Sequence, residues 1–212
     1  MLSFPSQEST FLFPGTVGDI EVLTAVPEHH QPIASVIICH PHPLYGGTMQ
    51  NKVVSTLARA FQNLSLRTVR FNFRGVGRSV GTHDEGRGEV ADVIVLAQWL
   101  QALFPHDALW LAGFSFGGFV AASAATQLSI ARLVSVAPQV SRFLSPKLPA
   151  VTCPWLIIQG EQDEIVSPEE VYAWVETLQP KPQLIRLPGA GHFFHGQLLE
   201  LRQRLEMALT SK

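Results

Sequence analysis

Cysteine is scarce in this chain. Cys39 and Cys153 are its only two, far apart and each inside an apolar run, which excludes a disulfide scaffold and points to a reducing compartment. Both read as core thiols. Charge of one sign is also missing: 15 Lys and Arg against 17 Asp and Glu leave a formal net charge of -2. No basic stripe is available for a phosphate backbone, and no charge run or low-complexity segment offers a flexible binding tail. Nucleic acid is therefore not an expected partner. Apolar runs long enough to span a bilayer are absent, and the start Met1-Leu2-Ser3-Phe4-Pro5-Ser6 has no basic region ahead of an apolar stretch. No membrane association is expected, and the expected location is the cytoplasm. A Gly-rich phosphate-binding fingerprint is missing as well.

What remains is a chain of 212 residues with 46% hydrophobic content, enough for one domain over 1–212 with a sizeable core. Short strand-like runs at 10–13 and 20–26, separated by Pro14-Gly15 and Gly18-Asp19, predict an opening hairpin. A continuous apolar run follows at 34–39, as expected of a strand buried on both faces of a parallel sheet, with further buried-strand runs at 133–137 and 155–159, an apolar run from 109 into the serine turn, and strand-like segments at 66–73 and 184–187. Between them lie helical patterns over 51–61, 90–104, 169–178 and 197–209. This alternation predicts a doubly wound, mostly parallel α/β sheet, in which ligands sit at the carboxyl ends of the strands.

At one such end the run Leu109-Trp110-Leu111-Ala112 meets Gly113-Phe114-Ser115-Phe116-Gly117 and breaks into small residues from Gly118 to Ala125. Strand, sharp turn and helix in that order present a serine hydroxyl outward from a strained backbone, beside the unpaired N–H groups of the helix start. A serine hydroxyl is a weak nucleophile, so it needs a neutral imidazole to take its proton. His192, after Gly189-Ala190-Gly191, is the candidate. The imidazole must be held in one tautomer by an acceptor on its other nitrogen. Asp163 is preferred for that, with Glu161 and Glu164 as competitors in the same short turn. An oxyanion formed at Ser115 needs two N–H donors: Phe116 supplies one, and the loop after the third strand the other. Pro41 and Pro43 lack an N–H, which leaves His42 or Leu44.

His40-Pro41-His42-Pro43 with Gly46-Gly47, the segment Asn72-Phe73-Arg74-Gly75-Val76-Gly77-Arg78-Ser79, the serine turn, Gly160-Glu161-Gln162-Asp163 and Gly191-His192 together resemble the α/β-hydrolase fold family. Within it, the chain is similar to small lid-less members of the dienelactone-hydrolase-like group. The resemblance spans nearly the whole length. It implies an α/β-hydrolase fold with an N-terminal antiparallel hairpin, and a Ser, acid, His triad in that chain order on Ser115, Asp163 and His192. His42 fits the family's position for the second oxyanion donor, and Arg74, Arg78 and Ser79 a site-shaping loop. The implied chemistry is hydrolysis of esters or thioesters of small acyl substrates, with no cofactor and no metal. His40, His42, His192 and His195 have no Cys or carboxylate at ligand spacing to make a metal site. Peptidase action on short peptides and a non-catalytic binding role are the alternatives on this fold. His83, Asp84, Glu85, Arg87 and Glu89 read as a solvated loop leading into a helix.

A cap domain in this fold is commonly inserted before the acid-bearing strand. The segment 139–153, with Pro146 and Pro149, holds at most a turn or two of helix. No cap is expected. An open cleft follows, with Leu44, Phe143 and Leu144 expected to contact substrate, Leu148 beside them, and a preference for short or medium acyl groups.

Overall fold

The hairpin forms where its breakers fall. β1 (Ser9–Pro14) and β2 (Asp19–Ala25) pair antiparallel, and the turn closes through the Gly15 N–H donating to the Gly18 carbonyl at 2.9 Å. The structure, a computed structural model, describes residues 2–144 and 148–210.

β3 (Ala34–Cys39), β4 (Leu66–Phe71), β5 (Ala108–Phe114), β6 (Arg132–Val136), β7 (Trp155–Gly160) and β8 (Gln183–Leu187) follow. The sheet order is β1-β2-β4-β3-β5-β6-β7-β8, antiparallel as far as the β2–β4 pair and parallel from there on. The order reverses around β3, the place where a doubly wound sheet opens a crevice at its strand ends.

Every residue of β3 and β7 is buried, because each strand face meets a helix layer. Val36 and Ile38 join Ala112, Phe114, Val134 and Leu156 under α1 (Lys52–Asn63) and α6 (Leu198–Thr210). Ile37 and Cys39 join Leu111, Leu133 and Ile157 under α2 (Arg87–Leu103), α3 (Phe116–Ala125) and α5 (Pro168–Glu176). Side chains alternate across a strand, so a sheet covered on both sides needs apolar residues at every position.

Local signals set the helix starts. The Asn51 carboxamide oxygen accepts the Val53 N–H at 2.9 Å at the head of α1. Ser167 caps α5, with Pro168 at its first turn. α2 begins three residues before the predicted Val90, because the Glu89 carboxylate takes the N–H groups of Gly86 and Asp84 and extends the helix toward the loop. The connection between β6 and β7 holds α4 (Ser141–Leu144), a single turn. Among the described residues nothing there caps the strand ends.

Candidate active site

The turn between β5 and α3 puts Ser115 at φ 55 and ψ -118, outside the regions that L-residues favour. Its neighbours make this possible. A Cβ on Gly113 would lie 2.1 Å from the Gly117 carbonyl oxygen, and one on Gly117 would lie 2.3 Å from that of Cys39 and 2.5 Å from that of His40. Both glycines are required because backbone passes where side chains would stand. The Ser115 N–H donates to the Val136 carbonyl at 2.9 Å, which ties the strained residue to β6. The side chain is almost covered, with 8% of the residue exposed.

Two loops meet beside it. After β8 the chain turns through Gly189 and Phe194, both at positive φ, and delivers His192 over the serine. After β7 a turn carries Asp163. The loops are bonded to each other: the Gln162 N–H donates to Ala190 O at 2.9 Å, and the Glu161 N–H to Leu187 O at 3.0 Å. The His192 N–H donates to the Glu164 carboxylate at 3.1 Å. Gly160 lets them touch, since a Cβ there would meet the Ala190 oxygen at 2.3 Å.

The three side chains form one hydrogen-bonded chain. His192 Nε2 lies 3.2 Å from Ser115 Oγ, and His192 Nδ1 lies 2.8 Å from Asp163 Oδ2. A carboxylate only accepts, so Nδ1 carries the proton and Nε2 presents its lone pair to the serine. Asp163 is saturated: Oδ2 also accepts from Gln159 Nε2 at 2.9 Å, and Oδ1 accepts the Ile165 and Val166 N–H groups at 2.9 and 2.7 Å. Burial works against the charged carboxyl, but His192 and these backbone donors outweigh it and hold the Asp163 pKa below its ordinary value. Of the three acids in the turn, Glu164 holds the His192 backbone rather than its ring, and Asp163 alone bonds the imidazole.

The oxyanion side is built from the elbow and the loop after β3. His40 ends that strand fully buried, with Nδ1 2.6 Å from the Pro41 carbonyl and Nε2 accepting the Phe73 N–H at 2.9 Å. Burial lowers its pKa to about 4, partly offset by the Pro41 bond, so it is a neutral clasp between the ends of β3 and β4. His42 follows, its ring 4.8 Å from that of Phe116. Gly47 closes the loop against the Pro41 and His42 carbonyls. Among the described residues, neither the His42 nor the Phe116 N–H donates to a protein acceptor. The Leu44 N–H points at His42 Nδ1 at 3.3 Å.

The cleft above Ser115 has a volume of about 620 Å³ and is bounded by Tyr45, Val140, Ile165, Val166, Phe193 and the His42 loop, with Glu170 at its edge. Three expected contacts are corrected here. Leu44 is 69% exposed on a 3-10 turn (Pro43–Tyr45) and does not border the cleft. Phe143 is buried against Phe119, Trp155 and Trp174. With Leu144 and Leu148 it lines a separate apolar cavity of about 450 Å³ behind α4. Helix periodicity explains the error: in the single turn of α4, Phe143 faces the core and Ser141 the cleft. The residues missed were Val140, Ile165 and Phe193, single apolar residues in loops where no period marks them.

In the segment after β4, Glu89 departs from the solvated reading, whereas Glu85 and Arg87 are exposed. Glu89 is fully buried and accepts from His83 Nδ1 at 2.8 Å. Arg74 is buried in a two-point pair with Asp92, at 3.0 and 2.8 Å, and Ser79 Oγ accepts the Glu21 N–H and donates to Asn72 O. These groups frame the loop and do not enter the cleft.

The chain belongs to the alpha/beta hydrolase domain family, whose model matches residues 34–206. Its fold is that of the small lid-less alpha/beta serine hydrolases. A serine hydrolase homologue from Coxiella burnetii is 46% identical, with 98% of this chain and 100% of that one covered at a TM-score of 0.94. A serine hydrolase described as without lid, from Xanthomonas campestris, is 43% identical over 97% of this chain and 95% of that one, TM-score 0.93. A Rickettsia prowazekii protein of undescribed activity is 36% identical over 182 residues, 77% of this chain and 72% of that one. No helix among the described residues is long and apolar enough to cross a membrane.

Proposed function

We propose that this hydrolase cleaves carboxylic esters or thioesters of small, short-to-medium acyl substrates through an acyl-enzyme on Ser115. The observation that carries the reading is the continuous chain Ser115 Oγ, His192 and Asp163, at 3.2 and 2.8 Å, on a serine at positive φ. In it, Ser115 Oγ attacks the carbonyl carbon while His192 Nε2 takes its proton, and Asp163 steadies the imidazolium. The carbonyl oxygen, now negative, receives the Phe116 and His42 N–H groups. His192 then protonates the departing alkoxide or thiolate as the C–O or C–S bond breaks. Water enters by the same route in reverse: His192 removes its proton, the tetrahedral centre collapses, and the carboxylic acid leaves with Ser115 restored. No metal or cofactor takes part in this scheme. The open cleft supports short or medium acyl groups, since it covers little of a long chain.

A fluorophosphonate probe tests the centre of this reading. Wild-type protein is expected to be labelled covalently and Ser115→Ala to take no label while melting like wild type. Equal labelling of the alanine variant would remove Ser115 from the role. A panel of acyl esters, thioesters and short peptides then sorts the bond type, and exclusive cleavage of peptides would replace the ester reading.

A further inference from the structure

Arg142 is a cation drawn into the strand-end loops on the oxyanion side, and the serine chain does not use it. Its guanidinium reaches three loops at once. Nη1 donates to Glu85 Oε2 at 2.9 Å in the loop after β4, Nε to Gln139 Oε1 at 3.2 Å after β6, and Nη2 lies 3.1 Å from His42 Nε2 after β3. The same group stands over the Phe116 ring, 4.9 Å from its centre. His42 is further enclosed by the rings of Tyr45 and His83, at 4.9 and 4.8 Å, and His83 is itself held by buried Glu89.

A neutral imidazole has one lone pair. Two donors compete for the His42 ring: Arg142 at Nε2, and the Leu44 N–H at Nδ1, 3.3 Å away. Only one can be served. The guanidinium bond is the shorter and charge-assisted, so Nε2 accepts from Arg142 and the ring proton sits on Nδ1. Protonated His42 would lose that bond and face a cation, with Glu85 and Glu89 on the other side of the cluster; the pKa of His42 is lowered, first by burial and then by His83 and Arg142.

We propose that Arg142 is the positioning residue of the oxyanion pocket: through His42 Nε2 and the Phe116 ring it fixes the two segments whose N–H groups receive the acyl oxygen. This rests on the acyl-transfer reading for its kinetic consequence, but not for its structural one. Arg142 acts through His42 and touches neither serine nor substrate. Its planar fork is what spans three loops; a lysine offers one point of charge.

Two measurements test it. Side-chain ¹⁵N NMR of wild-type protein is expected to find His42 neutral with its proton on Nδ1, and Arg142→Met to shift that proton to Nε2 as the Leu44 N–H takes Nδ1. A wild-type ring protonated on Nε2 would overturn the proposal, whether or not Arg142→Met folds. In ester hydrolysis, Arg142→Met is expected to lower kcat by about tenfold to a hundredfold, the cost of misplacing groups by an ångström or less, with KM moved less than about twofold. An unchanged kcat, or a loss confined to KM, would also overturn it. If Ser115 fails to react with a fluorophosphonate, the His42 tautomer is still as stated, so the two readings fail separately.

Discussion

Replacing Asp163 by asparagine changes one atom, and the structure dictates where the new amide nitrogen must go. Oδ1 accepts two backbone N–H groups, from Ile165 and Val166, and an NH₂ group there would face two donors with nothing to accept. The amide oxygen therefore keeps that position, and the nitrogen replaces Oδ2, opposite His192 Nδ1 and Gln159 Nε2. Gln159 can adapt, because its own amide oxygen is buried without a partner and a flip turns it toward the new donor. His192 can adapt only by giving up its Nδ1 proton and carrying one on Nε2. That tautomer cannot accept from Ser115. Loss of the tautomer together with the stabilising charge is expected to cost about four orders of magnitude in turnover, or about 5.5 kcal/mol of barrier. The fold should persist, since every backbone donor keeps its acceptor. Initial rates of short-chain p-nitrophenyl ester hydrolysis, read beside thermal melts, measure both. Turnover of Asp163→Asn within tenfold of wild type would refute the reasoning, most clearly if a Glu161 or Glu164 variant collapsed instead.

Acid should destabilise the fold through His40 before it reaches the carboxylates. Its pKa is about 4 folded against 6.5 as a free side chain, so the unfolded chain binds the extra proton between those values. Stability therefore falls as pH drops through that window, by about 3 kcal/mol, and urea midpoints at pH 7 and 4.5 would register it; a flat profile contradicts it. Asp163 has linkage of the same sign at lower pH: its lowered pKa contributes stability that is fully present above the ordinary carboxylate value and is lost as pH falls through the folded value, and Asp163→Asn should flatten that acid limb. Gly117→Ala forces a Cβ against the carbonyls of Cys39 and His40 and should lower stability by about 1–3 kcal/mol with a larger loss of fluorophosphonate labelling. In an ester chain-length series, rates should peak at short or medium acyl groups with no jump when substrate forms micelles; strong interfacial activation would mean a covering element.

The parts of this protein that follow a period were legible in its sequence. The strands and the hairpin announced themselves by runs and breakers, although β8, at the sheet edge, buries only Leu187, and boundaries moved by a few residues where a cap acted at a distance, as Glu89 does on α2. Ser115, Asp163 and His192 were legible because each follows a strand end at a glycine-marked turn. The cleft walls were not. Val140, Ile165 and Phe193 are single apolar residues in loops whose direction depends on tertiary bonds, such as those from Asp163 to the Ile165 and Val166 backbone. Arg142 was invisible for the same reason: its three partners, Glu85, Gln139 and His42, come from three separate loops. Glu89 was misplaced in solvent because a charged residue near a helix start is ordinarily exposed, and only its three donors explain its burial.

The single helical turn between β6 and β7 bears on the fate of a covalent intermediate. An acyl group on Ser115 would sit beneath a cleft that no described residue covers, with bulk water one diffusion step away. Any competing acceptor, an alcohol or amine, would have to outcompete that water by binding. The cleft borders Tyr45, Asn51, Gln139, Ser141, Ser167 and Glu170, so under the acyl-enzyme reading transfer could compete with release of the free acid only for an acceptor that these side chains hold in place of water.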